Sequence, residues 1–408
     1  MKIVLALLLF ICFFPTYLLS EDLHTGQTIL FLIYPFFICF IYLITRGKQT
    51  QFFIPNMGYY LLGFACIFIF TIISKLSFID FKGMINHARF LAYAVIFCFS
   101  YNIAKNINLS EQQLIKSLYL LASLLILFVC MHVAIPNNAF VSSQTPRAAI
   151  DYTGFRIGGP LEWSYIFAFT LTPILILGID QFLRGKKKVS LFILVSALFV
   201  IVMLAQSKAA YLATIVVLFL YTCFSFLHYK KNALLISIIV FVLSIAVYSF
   251  IAFSEQFAHI WGFIEGLQSG QSDASTRARV NQISTIEITL ENAILTGYPI
   301  VYKIIENAYG HYLYYYGVIG LITYISFICV LWLDTYYKTK WVFLSRNGKD
   351  TSLALGMLAF ITALPIYALS SSPTDAHKAS YFFFTLFGIY FGVFDLYKDK
   401  LNSLQLKA

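Results

Sequence analysis

Long apolar runs alternate with short polar breaks along almost the whole chain. A bilayer-spanning helix needs roughly 20 mostly apolar residues. Such runs lie near residues 3–20, 28–45, 54–74, 88–104, 115–135, 161–183, 189–206, 209–227, 233–253, 311–333, 352–370 and 380–397. The pattern predicts an all-α integral membrane protein of about twelve transmembrane helices. The first run lacks a small-residue cleavage site, and Glu21-Asp22 leads at once into another apolar run, so it is expected to remain as an anchor. No Pro- or Ser-rich linker and no inverted repeat of the transporter kind divides the sequence. A single polytopic domain over 1–408 is therefore expected.

Two longer breaks interrupt the rhythm, at residues 136–160 and 254–310. The first, with its continuation into the next run, reads PNNAFVSSQTPRAAIDYTGFRIGGPLEW; it is punctuated by Gly and Pro and fits an ordered loop before a helix. Inside the second, residues 275–293 are expected to form a helix at the membrane surface. Ile283, Ile286, Ile288, Leu290 and Ile294 would supply its apolar face, and Arg277, Arg279, Glu287 and Glu291 its polar one.

Composition agrees with the pattern. Hydrophobic residues make up 60% of the chain and charged residues 11%, against about 25% charge in a soluble domain. The formal net charge of +10 needs no nucleic acid to explain it, because cytoplasmic loops of membrane proteins gather Lys and Arg. With both termini cytoplasmic, the inner side holds Lys2, Arg46, Lys48, Lys105, Lys116, Arg184, Lys186, Lys187, Lys188, Lys230, Lys231, Lys338, Lys340, Arg346, Lys349, Lys398, Lys400 and Lys407. The outer side then carries Lys75, Lys82, Lys208, Lys303 and Lys378 with Arg89, Arg147, Arg156, Arg277 and Arg279. Arginine is thus concentrated outside, where its planar fork suits phosphate oxygens. All seven cysteines fall inside proposed spans and no Cys/His spacing fits zinc, so neither disulfides nor a metal is expected.

Several outer residues are candidates for chemistry, each beside a simpler role. Arg277 and Arg279 would grip an anionic, lipid-bound substrate, or would bind head groups from a surface helix. Residues two apart on a helix do not share a face, so one of the pair is expected to point into a site. Ser207-Lys208 forms a hairpin tip between two spans, where a lysine also snorkels into head groups. Arg156-Ile157-Gly158-Gly159-Pro160 precedes a helix whose N-terminus favours an anion, and Arg89 opens another span by the same logic. Glu306 and His311 are candidate proton acceptors near the outer interface. The tyrosine run from Tyr309 to Tyr316 would stack on sugars or form an interfacial belt. Gly317-x-x-Gly320 would allow close helix packing.

In this order the pieces resemble the bacterial O-antigen polymerase and ligase superfamily, over roughly residues 150–335. The resemblance rests on Arg156-x-x-Gly159 before a helix, Ser207-Lys208 between two spans and arginine at the start of a large outer loop. The fourth piece is a turn, Ala293-Ile294-Leu295-Thr296-Gly297-Tyr298. Ligases of this kind carry His-Asn, nine residues, then Gly-x-x-Gly. Here Glu306-Asn307 precedes Gly317-Val318-Ile319-Gly320 at that spacing, with glutamate in the histidine position. Lysine stands at position 208 where arginine is usual. These departures favour a polymerase over a ligase that transfers glycan to lipid A-core. A lipid-linked oligosaccharide flippase is the alternative from another class.

The resemblance implies a GT-C-like, metal-independent glycosyltransferase without a cofactor, multi-pass in the bacterial inner membrane. It would transfer an undecaprenyl-pyrophosphate-linked glycan onto the non-reducing end of a new lipid-linked repeat unit at the periplasmic face. Arg277, Arg279 and Glu306 would be catalytic, with Asp151 and Glu162 as reserve bases. Arg156, Lys208, Asn307, His311, Arg89 and Tyr309 would bind substrate. Implied partners are the lipid-linked oligosaccharide, inner-membrane lipids and a chain-length-regulating co-polymerase.

Overall fold

The computed structural model describes residues 1–16, 23–47, 51–73, 81–136, 138–144, 157–161, 163–184, 188–229, 274–297, 305–345, 350–374 and 376–405. Within these, the side chains at 23–28, 81–88, 188, 224–229, 274–276, 278–279, 377 and 404–405 fall outside the description. Among the described residues the regular structure is all helical. In chain order the helices are α1 (Lys2–Phe13), α2 (Leu23–Thr45), α3 (Asn56–Ile73), α4 (Phe81–Asn106), α5 (Glu111–Ala134) and the single turn α6 (Ala139–Ser142). They continue as α7 (Ser164–Leu183), α8 (Lys188–Leu204), α9 (Lys208–Tyr229), α10 (Ala274–Asn292), α11 (Ala308–Ser345), α12 (Ser352–Ala368) and α13 (His377–Gln405).

Helices overlap every run expected to span except that at 233–253, which lies outside the described residues. Five of them (α3, α5, α7, α11 and α13) are long and apolar enough to cross a membrane, and α1, α2, α8, α9 and α12 carry shorter apolar stretches. Their outward faces are apolar as well. On α2, Leu32, Phe36, Phe40 and Leu43 form an exposed stripe at helical spacing, as do Leu212, Ile215 and Phe219 on α9. A bilayer is the solvent that such stripes fit.

The chain folds as two compact units. Unit 1 comprises residues 1–118, 281–331 and 374–408, and unit 2 residues 119–280 and 332–373.

In unit 1, α4 and α13 run parallel and in close contact. A Cβ on Gly388 would sit 2.4 Å from the Phe97 carbonyl oxygen, and one on Gly392 would sit 2.6 Å from that of Tyr101. Small residues let helix backbones approach where lipid offers no hydrophobic drive for association. Tyr93 stacks on Phe384 at 4.8 Å along the same seam. Farther along, the Tyr101 hydroxyl donates to Asp395 Oδ2 at 2.7 Å, and Lys105 lies 3.7 Å from Asp399. Asn102 ties in the loop before α3, accepting from Phe53 N–H and donating to the Phe53 and Cys98 carbonyls. Ser110 and Gln113 start α5 with a reciprocal capping box.

In unit 2, α7 is the buried centre, with Ile166 to Leu177 almost wholly enclosed. It packs on α12 where Gly356 meets the Pro173 carbonyl, 2.6 Å from where a Cβ would stand. At the C-terminal end of α7, the buried Asp180 holds Arg184 Nε at 2.7 Å and the Tyr221 hydroxyl at 2.8 Å. It also accepts from Ser352 at 2.5 Å, while Arg184 reaches Thr351. This closed cluster locks α7, α9 and α12 together.

Candidate functional site

The candidate residues of unit 1 gather where α11 begins. Asn307 caps that helix, its Oδ1 accepting from Gly310 N–H at 2.9 Å, which satisfies a donor left open in the first turn. Glu306 is exposed just before the cap, and its backbone N–H donates to Gln282 of α10 at 3.1 Å. Gly310 leaves room for Ile286 of α10, whose Cδ1 would lie 2.8 Å from a Cβ there. Tyr309 is half-buried, its ring 5.9 Å from Tyr324.

Two turns onward the helix breaks. Gly317 has φ 65° and ψ −163°, a backbone state essentially restricted to glycine. Through the gap comes the turn that follows α10. The Ile294 and Leu295 carbonyls accept from Val318 and Ile319 N–H at 2.8 and 3.2 Å. Gly297, at φ 80°, lies against Tyr315, Tyr316 and Gly317, so neither glycine has space for a side chain. The turn at Ala293–Gly297 and the Gly317-x-x-Gly320 segment, read separately in the sequence, are therefore two halves of one joint. Tyr298 lies outside the described residues.

His311 stands in the first turn of α11 and meets Arg89 from α4, with Arg89 Nη2 3.3 Å from His311 Nε2. A guanidinium only donates, so this bond places His311's own proton on Nδ1. Arg89 is 9% exposed, lies 5.3 Å over the Phe90 ring and is within electrostatic reach of Tyr381. The His311 ring lies 4.7 Å from Tyr315 and 5.5 Å from Tyr312. Beside them is a cavity of about 30 Å³ walled by Phe68, Phe90, Tyr93, Tyr312, Tyr324 and Phe384 among others. It is too small for a sugar ring. From the tyrosine run Tyr312 lines this wall, and Tyr314 and Tyr316 are buried as well rather than displayed as a belt.

The remaining candidates belong to other segments. In unit 2, Ser207 caps α9, accepting from Ala210 N–H at 3.3 Å, and Lys208 is half-buried in the first turn. Gln206 before them is buried at φ 46°, a state uncommon for a residue with a side chain. Ile157 N–H donates to the Leu204 carbonyl at 3.1 Å, which puts the segment following Arg156 directly against this turn. The Arg156 side chain, Asp151 and Glu162 lie outside the described residues, as do Arg147 and the side chain of Arg279.

A helix is present over the predicted stretch as α10, and Arg277 is exposed on it. Its faces differ from the expectation. Val280, Ile283, Ile288 and Leu290 point outward beside Glu287 and Glu291, whereas Gln282, Thr285, Ile286 and Thr289 turn inward. Docking onto the glycine at the start of α11 selects the slimmer, mostly uncharged side for contact.

Among the described residues no group of three or more His, Cys, Asp or Glu side chains is placed to hold a metal ion. No protein-family model matches the chain, and no curated protein matches it.

Lys378 escaped the sequence reading as a site residue. It is 2% exposed in the first turn of α13, in unit 1. The expected topology held a hint, since a lysine assigned to the outer side runs against the bias that fills inner loops with lysine.

Proposed function

We propose that this chain is a membrane-embedded glycosyltransferase of the O-antigen polymerase kind. It joins undecaprenyl-pyrophosphate-linked repeat units at the periplasmic face of the bacterial inner membrane. The proposal takes the topology as twelve spans in a GT-C-like arrangement with both termini cytoplasmic and with periplasmic loops at 136–160 and 254–310. One observation supports the reading: within each unit, motifs far apart in the sequence meet in pairs. Residues 157–161 lie against the Ser207-Lys208 turn through Ile157 and Leu204, and the Ala293–Gly297 turn enters the Gly317 break of α11.

The chemistry follows from charge. The acceptor hydroxyl attacks the anomeric carbon, the bond from that carbon to the pyrophosphate oxygen breaks, and the lipid pyrophosphate leaves with the electron pair. Cations held in a dry site stabilise that developing charge by a few kcal/mol per contact, roughly a hundredfold in rate. Arg89, braced by His311, is suited to this work. Glu306, exposed at the start of the same helix, is the residue we assign to take the acceptor proton. Arg277, Lys208 and Asn307 remain proposed substrate contacts, as do Arg156, Arg279 and Tyr309. A co-polymerase would set chain length.

Deleting the gene in the organism that encodes it and resolving its surface glycan on a gel tests the reading. The expected result is collapse of the long ladder to a single repeat on core lipid. Complete loss of surface repeats would instead indicate a ligase or flippase, and an unchanged ladder would reject the proposal outright.

A further inference from the structure

The start of α7 carries an aromatic pair that no motif of the sequence singled out. Trp163 is the N-cap residue of α7, and its ring lies nearly parallel to that of Tyr165, 24° apart in plane with centroids 6.4 Å apart. That separation is too long for rings stacked face to face, so the two are offset and leave ring surface uncovered. Trp163 is 43% exposed, and Tyr165 is half-buried.

The backbone beneath the pair is fixed. Trp163 N–H donates to the Leu161 carbonyl at 3.0 Å, and the Trp163 carbonyl accepts from Phe167 N–H at 2.9 Å. The turn Gly159–Leu161 is buried and folds down onto Phe167, one helical turn into α7. At Gly159, with φ 58°, a Cβ would stand 2.7 Å from the Phe167 ring. A ring held on a rigid turn loses little freedom when a ligand covers it.

An exposed tryptophan near a span is ordinarily an anchor among lipid head groups. The place of α7 in unit 2 argues against that role. Every residue from Ile166 to Gly178 is buried, so along those turns no side of α7 faces lipid, unlike the exposed stripe of α9. Trp163 therefore stands at the end of the enclosed central helix of its unit rather than on a lipid-facing one. Gly178 meets Val195, and Phe182 pairs with Phe192 at 5.9 Å, so α7 and α8 run antiparallel. Counted back from those contacts, Trp163 is level with the Ser207-Lys208 turn at the start of α9.

We infer that Trp163, with Tyr165 beside it, is a carbohydrate-stacking platform on which a pyranose of the glycan lays its C–H face. A sugar ring offers a face of C–H groups and a rim of hydroxyls. That suits a rigid indole whose ring face is negative and whose edge is wet. The identity of the ligand rests on the glycosyltransferase reading, and the platform rests on the geometry of the pair. Trp163 is a binding residue here and takes no part in the bond-making step.

The test is binding rather than turnover. Purified wild-type protein, Trp163→Phe and Trp163→Leu in nanodiscs are titrated by calorimetry, with melting temperature as a folding control. The probe is the oligosaccharide released by mild acid from the host's own lipid-linked repeat unit. Trp163→Leu, apolar but without a ring, should bind about tenfold more weakly than wild type, and Trp163→Phe within about threefold of it. Should Trp163→Leu fail to fold, Trp163→Gln is read in its place. Equal affinity in wild type and Trp163→Leu overturns the inference, as does a wild type that binds no oligosaccharide. So does quenching of wild-type fluorescence by brominated phosphatidylcholine that vanishes in Trp163→Phe, which would mark a membrane anchor. Binding that depends on Trp163, in a protein that never extends a glycan, would leave the platform standing and reject the polymerase. A glycan-extending protein whose Trp163→Leu variant binds as wild type does would lose the platform alone.

Discussion

Unit 1 buries Arg89 and unit 2 half-buries Arg184, and the two are held in opposite ways. In unit 2, Arg184 faces a carboxylate. Asp180 spends its lone pairs on Arg184, Tyr221 and Ser352, each on a different helix or helix end. Nothing more can be added to it. In unit 1, Arg89 faces an imidazole and aromatic rings, with a second buried cation, Lys378, on the adjoining helix and a cavity alongside. A saturated ion pair fastens helices. An arginine set against an imidazole beside a hollow is the better placed of the two to meet a ligand. The contrast separates architecture from chemistry within one fold.

That contrast breaks most visibly at Asp180. Replacing it by alanine leaves the half-buried Arg184 without its carboxylate, a loss that reaches at most the ~3–5 kcal/mol of breaking a fully buried pair. Asp180→Ala should therefore lower the denaturation midpoint and the yield of inserted protein sharply, with glycan extension falling only as the protein is lost. If stability were unchanged, the cluster would not be the fastening described.

A smaller loss is expected at the joint of α11. Gly317→Ala puts a Cβ 2.4 Å from the Leu295 carbonyl in a backbone state that alanine resists. Forcing that state costs about 1–3 kcal/mol. Limited proteolysis should then cut the segment after α10 faster than in wild type, and equal cutting rates would show that the turn is not held by the break.

The sequence made the helical character legible because apolar runs of membrane length have few other uses, and Asn307, Gly297 and Gly317 stood out by spacing. It did not show what those residues do to one another. Gly317-x-x-Gly320 resembled an interhelical packing motif, but its first glycine is a break in the helix that another turn fills. The faces of α10 were misjudged because periodicity cannot foresee that a glycine on a neighbouring helix will choose the contact side. Lys378 was not singled out as a site residue because its burial depends on segments distant in sequence, among them α1, where Cys12 is within its electrostatic reach. The meeting of Arg89 with His311, 222 residues away, likewise lay in tertiary structure alone.

The most direct measurement is chain extension by the purified protein in nanodiscs, supplied with an undecaprenyl-pyrophosphate-linked repeat unit from its own host. Wild type should build a ladder. Arg89→Ala should melt close to wild type, yet extend the chain roughly a hundredfold more slowly, the effect of removing one preorganised donor from a transferring group. A normal ladder from Arg89→Ala, or a wild-type protein that leaves the single repeat unextended, would contradict the account.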